Sequence, residues 1–87
     1  MKTSVLFNEE IEKISNCLRL ELDYSFAIAD RIDAILKKKN MTQKEFAHKM
    51  GKTEAEISRW VGGRHNFTLK TIAKISDVLG EKIIAVL

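Results

Sequence analysis

The sequence predicts an all-α fold: a bundle of short helices with one extra helix before it and one short β-strand after it. Three observations predict it. The 87 residues contain no proline and only four glycines, so nothing forbids long helices. Between Met41 and Leu79, three short stretches of helical periodicity each begin at a threonine and end at a glycine or a glycine pair. The last seven residues, Glu81–Leu87, are rich in Ile and Val, which suits a strand better than a helix.

Each element has its own signals. Thr3–Phe7 is short and β-prone. Asn8 is placed to cap a first helix, with Glu9 and Glu10 favourably near its positive end. Ile11, Ile14, Leu18 and Leu22 share one stripe, and this helix is expected to stop near Asp23. Ser25 can cap a second helix reaching about Lys39, with Ile28, Ile32, Ile35 and Leu36 inward and three lysines in the last turn. Because no Gly or Pro separates the two, one long bent helix is an open alternative. Thr42 with Glu45 and Thr53 with Glu56 have capping-box spacing, and Met41 with Phe46 has the spacing of a hydrophobic staple. Gly51 is a natural C′ residue. Ile57, Trp60 and Val61 form the inward stripe of the next helix, which Gly62–Gly63 ends. Thr68 caps the last helix, whose core face is Ile72, Ile75 and Leu79 and whose end is Gly80. The expected division is a strand-like segment and extra helix over 1–24, a helical domain over 25–80, and a strand over 81–87. A lone strand needs a partner, which Thr3–Phe7 or the same segment of a second subunit would supply; a two-fold dimer sharing strands, with 81–87 as the dimer contact, is the expected arrangement.

Composition excludes several functional classes. No apolar run approaches the roughly 20 residues of a membrane span, and the N-terminus has no signal-peptide core, so a cytoplasmic protein is expected. Cys17 is the single cysteine, so no internal disulfide forms. With only His48 and His65 beside it, no metal site or cofactor is expected, and Cys17 reads as a small core or interface residue. No nucleophile–base order, phosphate loop or metal-ligand spacing marks an enzyme, and Asp30 with Asp33 is ordinary helical spacing.

The net charge of +3 is unevenly placed. Residues 37–70 hold nine basic side chains against three acidic ones, a net +6, whereas residues 1–36 hold four against seven, a net −3. A basic centre beside an acidic flank suggests a polyanion met by one face. Two capped helices joined by a tight turn around Gly51 make a helix-turn-helix unit, whose second helix enters the major groove. On that helix Glu54, Ala55, Ser58 and Arg59 have free side chains and become the candidates for base reading. Arg59 can pair bidentately with guanine, Glu54 can accept from a cytosine amino group, and Ala55 can touch a thymine methyl. Thr42, Gln43, Lys44, Lys52, Thr53, Arg64, His65, Asn66 and Lys70 sit at helix starts or in the following loop and are the candidates for the phosphate backbone.

The pattern Met41-Thr42-Gln43…Phe46-Ala47…Gly51…Ile57-Ser58-Arg59-Trp60…Gly63…Leu69…Ile72-Ala73…Leu79 closely resembles the Cro/C1-type, or XRE-like, helix-turn-helix family over roughly residues 25–80. The resemblance implies a lambda-repressor-like helix-turn-helix bundle. It implies that Gln43 binds a phosphate at a helix N-terminus and that Glu54, Ala55 and Arg59 occupy base-reading positions. It also implies a dimeric regulator on a roughly palindromic double-stranded operator. The stretch Ser58-Arg59-Trp60…Gly63-Arg64-His65-Asn66-Phe67-Thr68-Leu69, with the expected terminal strand, is similar to the small antitoxin branch, whose members repress their own operon and bind a toxin protein. Three positions depart from the family pattern. Lys52 stands at a usually apolar turn position, Glu54 at a common glutamine, and Val61 at a usually polar position. A helix-turn-helix fold serving as a protein-interaction module, with weak or no DNA binding, is the alternative function.

Overall fold

The computed structural model describes the backbone of residues 2–87 and the side chains of residues 15–87. Four helices follow one another: α1 (Lys2–Lys38), α2 (Gln43–Met50), α3 (Glu54–Val61) and α4 (Leu69–Leu79). At about 1.5 Å per residue the 37 residues of α1 span roughly 55 Å. The longest dimension of the molecule, 57 Å, is therefore α1 itself.

Two expectations are corrected here. The described residues contain no strand. The tail 81–87 is coil, and residues 3–7 are helical. A strand is stable only when its backbone groups find a ladder partner. With residues 3–7 in α1, the tail has none, and it is held instead by side chains. Arg31 donates two hydrogen bonds to the carbonyl of Lys82, at 3.2 and 3.1 Å. Lys38 and Glu81 form an ion pair at 2.9 Å. Ile83 is buried in the core.

The second correction concerns the break near Asp23–Ser25, because α1 runs through it. Ser25 is buried inside the helix instead of capping its start. A small hydroxyl residue costs a helix only a few tenths of a kcal/mol relative to the best formers. It fits where α1 lies on the bundle. Asn8 also falls within α1; its side chain and those of Ile11 and Ile14 lie outside the described residues. Cys17 is exposed, not in the core.

The local signals around the three short helices correspond to real geometry. α1 ends in a Schellman turn: Asn40 takes φ +52°, its N–H donates to Lys37 O, and Met41 N–H donates to Leu36 O at 2.9 Å. α2 ends the same way, with Gly51 at φ +70°, its N–H on His48 O and Lys52 N–H on Ala47 O. Thr53 and Glu56 make both bonds of a capping box at 3.1 and 3.2 Å. Thr42 makes only half of one. Its Oγ1 accepts from Glu45 N–H, but the glutamate turns to the Thr42 hydroxyl instead of the backbone. Thr68 caps α4 through Thr71 N–H, and Gly80 ends it at φ +69°.

One core lies where the C-terminal half of α1 meets the other helices. Ile32, Ile35 and Leu36 pack with Phe46, Ala47 and Met50 of α2, Ile57 and Trp60 of α3, and Ile72, Ile75 and Leu79 of α4. Lys74 on α4 donates from Nζ to Met50 O at 3.0 Å, tying the C-terminal end of α2 to α4. A cation is well placed there, since a helix end carries partial negative charge.

Candidate nucleic-acid interface

The geometry of α3 starts from its burial. Ile57 and Trp60 are sunk in the core, which turns the helix so that Glu54, Ala55, Ser58 and Arg59 are all exposed. The capping box fixes the first turn, where side chains that reach into a groove must be held. The Gly51 turn sets α3 directly against α2.

Beside α3 lies an open groove of about 790 Å³. Lys52, Arg59 and Arg64 bring positive charge to it, and Asn66, Thr68 and Thr71 bring neutral polar groups. Glu56 is the acid on its wall, but its carboxylate is engaged by Thr53 N–H. The structure thus gathers Lys52, Arg59, Arg64, His65 and Asn66 around one concavity. Glu54, Ala55 and Ser58 are on α3 outside the groove lining. Thr42, Gln43 and Lys44 form a separate start at the head of α2, with Thr42 and Lys44 exposed and Gln43 half-buried. Thr53 is exposed with its hydroxyl engaged by Glu56 N–H, and Lys70 is exposed on the first turn of α4.

His65 has more structure around it than the sequence suggested. Its ring stacks on Trp60 at 5.3 Å and meets Phe67 edge-on at 4.7 Å, so it is a wall of the groove as much as a polar tip. Burial against these rings, together with the charges of Arg59 and Lys52, holds its pKa below the usual 6.5. The same two cations that disfavour a proton on His65 would favour an anion in front of it.

Two residues that sequence reasoning passed over shape this region. Thr71 lines the groove and shares a 2.9 Å hydroxyl–hydroxyl bond with Thr68; its spacing of three from a capping threonine was the available signal. Phe26 lies over Gly63, where a Cβ would fall inside its ring. With φ at +91° as well, Gly63 meets two independent demands for glycine. This contact fixes the turn between α3 and the basic loop, and nothing in the sequence announces it.

Comparison with known proteins bears on this geometry. A family model described as helix-turn-helix matches residues 32–85, more than half of the chain. The chain belongs to the Cro/C1-type, XRE-like helix-turn-helix family. Its members are DNA-binding transcription regulators, and this chain is a regulator of that kind. No curated protein and no solved structure matches it. The family match begins inside α1, at Ile32, so the first thirty-one residues lie outside it. Among the described residues no helix is long and apolar enough to cross a membrane, and no cluster of His, Cys, Asp and Glu is arranged to hold a metal ion.

Proposed function

We propose that the protein is a sequence-specific repressor that binds a roughly palindromic operator as two copies. The observation that carries this reading is the convergence of Lys52, Arg59 and Arg64 on one groove beside the exposed face of α3. In a family whose second motif helix enters the major groove, this supports a backbone-binding role for Lys52 and Arg64 beside Arg59 and the other base-reading candidates. Arg59 is the principal base-reading side chain, with Ser58, Ala55 and Glu54 completing the set. Thr42, Gln43 and Lys44 anchor the head of α2 on phosphate, and Lys52, Thr53, Arg64, His65, Asn66 and Lys70 hold the backbone beside α3. Two copies would set their α3 helices about 34 Å apart on the DNA.

The antitoxin role, repression of its own operon together with binding of a toxin protein, is the finer form of this reading. It rests on the similarity of the Ser58–Leu69 stretch to that branch. Glu54, an exposed carboxylate on the groove helix, favours the second reading, a protein-interaction module with weak DNA binding.

Alanine substitution separates the roles. Arg59→Ala is expected to relax preference at one base pair, a loss of about 1–3 kcal/mol in discrimination. Lys44→Ala is expected to weaken all sequences alike and to lower the salt slope by about one. Base-resolved affinity measurements in which both variants bind like the parent would overturn this docking face.

A further inference from the structure

The stripe by which α1 enters the core does not stop where the bundle stops. Leu36, Ile32, Ala29 and Ser25 are buried along it, and at the same helical spacing come Leu22, 38% exposed, and Leu18, 53% exposed. The sequence carries the spacing on to Ile14 and Ile11. Beside this stripe is an apolar groove of about 650 Å³, walled by Tyr24 and Ile28 of α1, by Phe67, and by Ile83 and Ile84 of the tail. A ridge without cover and a groove without filling therefore lie side by side on one molecule.

We infer that a second copy of this chain covers both. In a two-fold pair the projecting half of α1 from each copy lies against the groove of the other. Ridge and groove are then satisfied reciprocally, as a self-complementary interface requires. The surface is large enough. Leu18, Leu22, Tyr24, Ile84, Val86 and Leu87 together expose on the order of 800 Å², about what each partner contributes to a stable interface of standard size. No strand pairing is involved, because the tail contributes side chains from a coil. The projecting half of α1 lies outside the family match, whereas Phe67, Ile83 and Ile84 of the groove lie within it. The inference deepens the two-copy reading of the operator and rests on it for its role on DNA, but not for its test.

The test is the solution mass of the full chain without DNA, by sedimentation equilibrium or light scattering. The expected mass is twice the 9.9 kDa of one chain. The double variant Leu18→Asp with Leu22→Asp is expected to fall to the single-chain mass while keeping the thermal transition of the bundle. Asp23→Lys, exposed and about a quarter turn of the helix from both Leu22 and Tyr24, is expected to remain at the double mass. A parent chain at single-chain mass at micromolar concentrations would overturn the interface, and so would a double variant that stays paired. A second readout needs no substitution in the stripe. A spin label on Cys17, exposed and adjacent to Leu18, should report a partner label within about two helix diameters, roughly 20–24 Å. Absence of that coupling at concentrations where the mass is doubled would place the interface elsewhere and overturn the inference. Half-site DNA binding separates this result from the operator reading. A paired chain that ignores DNA leaves the interface standing and removes the operator reading. A single-chain species that binds a half-site does the reverse.

Discussion

The two halves of α1 carry the same apolar spacing and meet different fates. From Ser25 to Leu36 the stripe is buried against the rest of the bundle, while from Ser15 to Leu22 every described side chain is exposed. A helical stripe thus states which face needs cover and says nothing of what covers it. The C-terminal half is stabilised by packing. A helix of this length projecting alone is marginal in water, because propensity supplies little of a helix's stability.

That contrast can be broken at several points, beginning with the largest effect. Phe46→Ala, in the fully buried region, is expected to cost about 3–5 kcal/mol in chemical denaturation. Leu18→Ala, measured where the chain is unpaired, should shift the same transition by less than about 0.5 kcal/mol, as for exposed sites generally. Equal losses would mean that the two halves are not distinct. Gly63→Ala should cost about 1–3 kcal/mol from its left-handed backbone, with added strain against Phe26. If that contact matters, Phe26→Ala should recover part of the loss in a double-mutant cycle, and strict additivity would dismiss it. Thr53→Ala should cost about 1 kcal/mol, and more than Thr42→Ala, whose box is only half made.

The smallest effects are pH-dependent. His65 has a lowered pKa in the folded chain, so the unfolded chain binds more protons as pH drops below 6.5. Its contribution is therefore complete above 6.5 and declines on acidification; His65→Phe should flatten that part of the stability–pH curve. Glu81 is also depressed, chiefly by its hydrogen bond from Lys38. Its contribution is present above the ordinary carboxylate range and is lost as pH falls through its folded value. Release of the tail, read from the chemical shifts of the buried Ile83 methyls, should appear there first, and a Lys38→Ala variant should lose that pH step.

The bundle was largely legible in the sequence because its signals are local. Thr53 with Glu56, Thr68, Gly51 and Gly80 each declare a helix end within four residues, and Ile32, Phe46, Ile57 and Ile75 follow simple periodicity. The tail misled because Ile and Val enrichment reports fitness for a pleated surface, not the presence of a neighbouring strand. What replaces the strand is Arg31 on Lys82, fifty-one residues away, and Lys38 on Glu81, forty-three away. Ser25 misled because a serine that caps in one context packs in another. The exposure of Glu54, Ala55, Ser58 and Arg59 followed from the α3 stripe. The enclosure of His65 by Trp60 and Phe67, and the bond from Lys74 to Met50, depend on tertiary positions that no short spacing encodes.

Operator recognition is tested most directly by a titration of the purified protein against its own promoter DNA and against scrambled DNA over a range of salt concentrations. A repressor on a palindromic operator will bind tightly, prefer the promoter, weaken steeply with salt, and give a footprint with two-fold symmetry. Equal weak binding to both DNAs, with little salt dependence, would contradict it and shift the function of this fold to a protein partner.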